Sequence, residues 1–315
     1  MKKILFATTA LVATAGFASA EVALSGYAEM GIFGGSDIET QFWNDIDVKF
    51  TLSGETDGGL SFGATIDLDE LNGDSIDAQG GGESAGFGGH GENDSSVFVS
   101  GSFGTLTMGD TDGAFDWAMA EVARGTAIAD DHSSHAGFSG NGGFDGTYDG
   151  QIARYDYSFG DFSVAASAEL DDTGADNAVL GLGFKYSTDL GGVALGFGLA
   201  VQHIDSDNQL IGVSVAGDMD NGINFNLNYT DATVGGTDGS HTGVGIGYSM
   251  DALLVQVNWG RFSVDGAPDV DGYGLVVNYD LGGGAVLMAG YGSGDAPSGN
   301  GGGDDTFSAG IGLSF

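Results

Sequence analysis

The 315-residue chain has no cysteine, two prolines and only seven lysines plus arginines. Each scarcity excludes something. Without cysteine there can be neither a disulfide framework nor a thiolate metal site. Seven bases against 45 acids leave a formal net charge of -38, which would repel a polyanion, so nucleic-acid recognition is ruled out as a function class. Beyond residue 20 no apolar run is long enough for a membrane helix. No nucleophile elbow, phosphate-binding loop or HExxH zinc motif occurs, so an enzyme is not expected. High net charge by itself would suggest disorder, yet 41% of the residues are AVILMFWYC and 10% are aromatic. Such material needs a place to be buried, so an ordered structure with an unusual surface is expected.

The first twenty residues read as a secretory signal peptide. Met1-Lys2-Lys3 is basic, Ile4 to Phe17 is apolar, and Ala18-Ser19-Ala20 has the small residues of a cleavage site. Cleavage would remove two of the seven bases and no acid, leaving five against 45 and a net charge of -40 over residues 21–315. An exported chain without a membrane helix is either soluble or inserted as a closed β-barrel, because only helices and closed barrels satisfy every backbone group in lipid.

What the chain does have is period-2 alternation. Phe307, Ala309, Ile311, Leu313 and Phe315 alternate with Ser308, Gly310, Gly312 and Ser314, and Ile223, Phe225, Leu227 and Tyr229 alternate with Asn224, Asn226 and Asn228. Val244, Ile246, Tyr248 and Met250, and Ile46, Val48, Phe50 and Leu52, follow the same rule. These are strands with one apolar face and one small or polar face. Tight Gly/Asp turns, as at 56–59, 160–161 and 220–222, take turns with longer polar segments at 34–40, 72–93, 111–151, 171–177, 205–209, 231–240, 264–271 and 295–305. Seven tight turns and eight long connections separate sixteen strands. An even strand count with short turns at one end and long loops at the other predicts an antiparallel 16-stranded transmembrane β-barrel. A soluble sandwich with its apolar faces inward is the competing architecture. Against it stand the very small opposite faces, which suit a wet lumen that inward glycines keep open, and the aromatics Tyr155, Tyr157, Phe159 and Phe162 gathered around one tight turn.

Three segments carry a resemblance to a known family. Glu21-Val-Ala-Leu-Ser-Gly-Tyr-Ala-Glu-Met-Gly31, the stretch from Phe50 to Ala64 and the stretch from Val97 to Asp110 resemble the trimeric general porins of alphaproteobacterial outer membranes. The terminal Phe315 on an alternating strand is similar to their assembly signal. The resemblance implies a homotrimer embedded in outer-membrane lipid and lipopolysaccharide, passing ions and small hydrophilic solutes by passive diffusion. It also implies that residues 21–315 form the barrel, that segment 72–93 reaches a neighbouring subunit, and that the 41-residue connection 111–151 folds into the lumen as the third, constricting loop. Such a placement removes the usual objection to a structureless connection of that size. Within it, the run 114–127 suggests either a short helix pinned to the inner wall or simple loop packing.

Six acids of that loop, Asp116, Glu121, Asp130, Asp131, Asp145 and Asp149, are the candidates for the constriction, where low-dielectric walls would focus their field and favour cations. The family opposes such acids with a basic cluster, and here the match is poor. The parity that sends Ile46 and Val48 to lipid sends Asp45, Asp47 and Lys49 to the lumen, with Arg154 and Lys185 as the other inward bases and Arg261 outward. A cation-preferring pore follows. His132 and His135, beside Asp130 and Asp131, offer a transition-metal pair or a titrating group; His90, His203 and His241 carry no such signal. No cofactor is required, but rim acids Asp171, Asp172, Asp205, Asp207, Asp304 and Asp305 offer oxygen ligands for Ca²⁺ beside lipopolysaccharide phosphates. The alternative function is a secreted calcium-binding β-roll or adhesin, motivated by Gly142-Gly-Phe-Asp-Gly-Thr-Tyr-Asp-Gly150. It lacks the tandem nine-residue repeat such a fold needs.

Overall fold

Alternating residues build the sixteen strands, and closure of the sheet leaves none of them with an unpaired edge. The computed structural model describes residues 21–36, 39–68, 95–128, 142–295 and 305–315. Residues 1–20, segment 72–93, Asp130, Asp131, His90, His132, His135 and Asp304 lie outside the described residues. The strands are β1 Glu21–Gly35, β2 Gln41–Glu55, β3 Ser61–Leu68, β4 Ser95–Gly101, β5 Gly104–Gly109, β6 Ile152–Phe159, β7 Phe162–Glu169 and β8 Val179–Asp189. They continue as β9 Val193–Asp205, β10 Asn208–Met219, β11 Ile223–Val234, β12 Thr237–Met250, β13 Leu253–Val264, β14 Val270–Gly282, β15 Ala285–Gly294 and β16 Asp305–Ser314. Every strand pairs antiparallel with its sequence neighbours, and β1 closes the barrel on β16 with Met30 opposite Ile311.

The apolar faces point outward. Leu182, Val213, Leu227, Ile246, Val257 and Leu287 are all exposed, which in a soluble protein would be an untenable surface and in lipid is the required one. The aromatics around the 160–161 turn stack on this outer face: Phe159 on Phe162 at 5.8 Å between ring centres, Phe162 on Tyr186 at 4.7 Å, and Tyr186 on Phe197 at 6.1 Å. They form the interfacial belt expected where strands leave the hydrocarbon.

Two of the connections expected to be long are hairpins. Segment 205–209 turns through Ser206-Asp207 alone, and segment 231–240 pairs through to Val234 opposite Thr237, leaving only Gly235-Gly236. The polarity of Asp231 to Ser240 suggests a loop, but strands that extend past the apolar band need no apolar face. The two glycines have φ of 57° and 75°, the left-handed pair that a two-residue hairpin demands.

Helix α1, Ala114–Ala118, lies in the 111–151 connection and packs on β7, β8 and β9. Among the described residues the two largest fully buried apolar side chains, Phe115 and Ile128, are likewise from this connection, as is the fully buried Val122. Phe115, Ala118 and Met119 close on Ala200 of β9 and Leu210 of β10, with Trp117, Phe144 and Ala232 against them. The apolar core therefore sits inside the barrel, between loop and wall.

Candidate functional site

A loop of this length can lie inside a barrel only if its backbone polar groups find partners there. Inward side chains of the wall supply them in strand order. Ser167 of β7 accepts from the Ala114 N–H at 2.8 Å, and Ser214 of β10 accepts from the Ala120 N–H at 2.8 Å. Asn226 and Asn228 of β11 donate to the Glu121 and Ala120 carbonyls at 2.6 and 3.4 Å. Gln256 of β13 donates to the Val122 carbonyl at 3.0 Å and accepts from the Arg124 N–H, and Asn278 of β14 donates to the Thr126 carbonyl at 2.7 Å. At the far end Ile128 lies over Gly31 of β1 and Gly310 of β16.

Inward glycines make the space. A Cβ on Gly183 would overlap the Ala114 carbonyl, one on Gly198 the Ala118 carbonyl, and one on Gly245 the Val122 carbonyl. This corrects the expectation that these glycines hold the lumen open. Several of them admit the loop, and Asn226 and Asn228, expected to face water, are at most 4% exposed beneath it. The expected helix is real but short. Helix α1 covers only 114–118, and 119–127 runs on without regular secondary structure along the wall, where α-helical bonding would have withdrawn the backbone from these side chains.

The return limb, 142–151, is fastened by carboxylates. Asp145 accepts from the Gly113 N–H and from Gln202 Nε2, both at 2.7 Å, which ties the two limbs of the loop together at the start of α1. Gln202 Oε1 accepts from the Phe144 N–H at 2.7 Å. Asp149 caps its own turn by accepting from the Gln151 N–H at 3.0 Å. Of the expected constriction acids, Glu121 is exposed, Asp116 is half-buried on α1, and Asp145 is half-buried at the junction of the limbs. Burial, aided by the nearby Asp112 carboxylate, pushes Asp116 up to about 6 against the pull of Arg154 and Lys185. Burial likewise pushes Asp145 up to about 6 against its two hydrogen bonds, with Asp116 and Glu169 adding to the rise.

All five bases of residues 21–315 are engaged. Lys49 pairs with Asp67 of β3 at 2.6 Å, and Arg154 lies 3.6 Å from Asp156 and 3.9 Å from Asp112. Arg124 of the loop pairs with Asp218 and donates to Asn226 at 3.0 Å. Lys185 sits 4.0 Å over the Trp117 ring, within electrostatic reach of Asp112, Asp116, Asp156 and Arg154. Arg261, with the outward parity expected of it, pairs with Asp269 at 3.4 Å and with Asp271. Around α1, four acids, Asp112, Asp116, Asp145 and Asp156, thus face two bases, Arg154 and Lys185. On β1 and β2, Glu29 lies opposite Asp45 and Asp47 lies opposite Tyr27, with Lys49 two residues further along the same face.

Sequence reasoning alone does not single out Asp67, Asp112, Arg124, Asp156, Glu169 or Asp218. Asp112 and Arg124 have a usable signal in their membership of the long loop, and Asp67 and Asp156 have inward parity. For Asp218 and Glu169, near strand ends, parity does not separate a luminal role from a solvated one.

At the rim, Asp171 turns its oxygens back on its own loop, accepting from the N–H groups of Thr173, Ala175 and Asp176 at 2.8 to 2.9 Å, and this holds its carboxyl down at about 2. Asp205 accepts from the Asp207 N–H and Asn208 Nδ2, and Asp305 from the Tyr291 hydroxyl. Asp172 and Asp207 lie in these same turns. No group of three or more His, Asp or Glu side chains placed to hold a metal ion occurs among the described residues. His241 packs against Phe262 with ring centres 4.7 Å apart.

A closed sixteen-stranded barrel is also what comparison with known proteins finds. The model of the Gram-negative porin family matches residues 7–298. The chain belongs to the Gram-negative porin family. A porin of Rhodobacter capsulatus is 30% identical, the alignment covering 88% of this chain and 96% of that protein. A porin structure refined at 1.8 Å superposes with a TM-score of 0.71 at 25% identity over 94% of this chain and all of that one. A variant of Rhodopseudomonas blastica porin shares the fold, with a TM-score of 0.62 at 19% identity over 93% of this porin and all of the variant. The competing soluble sandwich and β-roll are not favoured, and the relatives of this porin are channels rather than enzymes.

Proposed function

We propose that this porin is a cation-preferring outer-membrane channel for ions and small hydrophilic solutes, working as a homotrimer amid lipopolysaccharide. The observation that carries the reading is the charge of the lumen. Every base in the described residues has an acidic or aromatic partner, while acids on both sides of the docked loop outnumber them. A solute would pass between the loop, with Asp112, Asp116 and Glu121, and the β2, β3 and β6 wall, with Asp45, Asp47, Lys49, Asp67, Arg154 and Asp156. Carboxylates in a narrow aqueous path bounded by low-dielectric walls lower the energy of a cation and raise that of an anion. Asp145 and Asp149 serve the same site by shaping the loop.

The trimer is supported by strand length. β5 has six residues, whereas a tilted strand needs about 9–11 to cross the hydrocarbon. Its outward side chains, Leu106 and Met108, are nonetheless exposed and apolar, as is Val97 opposite Met108 on β4, and a neighbouring subunit covers such a short wall better than lipid.

The test is a pair of variants measured by reversal potential in planar bilayers. Asp116→Asn is expected to lower the cation-over-anion permeability ratio and Lys49→Gln to raise it. Equal ratios in both variants and the parent would refute the assignment of these residues to the pore.

A further inference from the structure

Glycine and aspartate in segment 142–150 suggest a calcium loop, but the fold turns that segment the other way. Its amide N–H groups, not its carboxylates, converge on a centre, and the centre is Glu169 at the end of β7. Glu169 is 1% exposed. One oxygen accepts from the Tyr148 N–H at 2.9 Å and the Gly150 N–H at 3.1 Å, and the other from the Gly146 N–H at 3.0 Å. Gly146 and Gly150 have φ of 74° and 72°, left-handed values that aim alternate N–H groups toward one side. A carboxylate suits this arrangement because it is acceptor-only on both oxygens, and hydrogen bonds to an ionised acceptor are roughly twice as strong as neutral ones.

The limb so held is the one that carries Phe144 against the Phe115 and Met119 cluster and Asp145 against Gly113 at the start of α1. We propose that Glu169 is a positioning residue for the constriction: by gathering three amides of the return limb it fixes α1, and with it Asp116 and Trp117, at a set distance from the wall. The proposal rests on the reading of the docked loop as the constriction. Glu169 does not touch the solute. Its effect on permeation passes through the 144–150 backbone and the Asp145 clasp.

The residue separates from a merely structural one by two readouts. In Glu169→Gln one of the two oxygens becomes an NH₂ donor facing an amide N–H. Hydrogen exchange at Gly146, Tyr148 and Gly150 is then expected to quicken by about tenfold, the equivalent of one charge-assisted hydrogen bond. Liposome swelling should show uncharged solutes above the parent cut-off entering, while the variant still inserts as a folded barrel. Glu169→Asp, which keeps the charge but withdraws it by one methylene, should fall between, and carries the comparison if Glu169→Gln does not insert. Parent-like exchange in the variants would overturn the proposal, as would fast exchange with an unchanged cut-off. Uncharged solutes make the result independent of charge preference, so a porin that failed to select cations would still reveal whether Glu169 positions the loop.

Discussion

Gly245→Val is expected to expel the middle of the third loop and widen the channel, while Gly196→Val, on the same inner face, leaves it unchanged. A Cβ at Gly245 would occupy the position of the Val122 carbonyl oxygen, whereas one at Gly196 meets nothing within 4 Å. Displacing Val122 exposes a fully buried side chain, costing roughly 1.5–3 kcal/mol, and breaks the bonds from Gln256 and Asn226 at about 1 kcal/mol each. Loop docking is thus expected to weaken by about 3.5–5 kcal/mol on these terms. The barrel itself should persist, because the ladder from β12 to β11 and β13 and the outward Val244 and Ile246 are untouched. Single-channel conductance should rise in Gly245→Val and match the parent in Gly196→Val. Equal conductance in the two variants would mean that the loop does not narrow the pore.

Cation preference is expected to drop as the pH falls through about 6. Asp116 and Asp145 both sit near 6, raised from 3.8 mainly by burial. Around α1, protonating Asp116 and Asp145 turns four acids against two bases into two against two, removing the local excess of negative charge. A unit charge at about 4 Å is worth about 1 kcal/mol even in water, so the permeability ratio should fall by about fivefold between pH 7.5 and 5. Stability runs in the opposite direction. A carboxyl raised in the folded state favours the fold most when protonated, so its contribution is complete below 3.8 and is lost as pH rises through 6. Acid should therefore hold the loop more firmly while making the pore less selective. Asp116→Asn should flatten the selectivity profile. An unaltered step near pH 6 in that variant would assign the titration elsewhere.

The same two glycines show how far the sequence can be read. Strand parity puts Gly196 and Gly245 on the face opposite the apolar side chains, and Lys49 on the same side as its partner Asp67. Period 2 is a local property, and the barrel follows from it. What parity cannot carry is what lies over an inward residue. Gly245 and Gly196 have similar neighbours in sequence, yet one touches a carbonyl from a residue more than a hundred positions away and the other touches nothing. Asn226 and Asn228 look like a wet wall for the same reason. Their amides are polar because they replace a missing backbone ladder, which is a long-range fact. Asp145 and Glu169 are hidden differently. In a chain with 45 acids, a carboxylate that folds a loop has no mark distinguishing it from one that faces solvent. The scarce residues are the more informative: with five bases in residues 21–315, each can be followed to its partner, and the deficit of positive charge survives intact from composition to lumen.

That deficit is tested most directly by the zero-current potential of the unmodified porin across a salt gradient at pH 7.5. The expected result is a potential of the sign set by cations, shrinking as the pH is lowered past 6. A potential of the anionic sign, or none at any pH, would contradict a cation-preferring lumen.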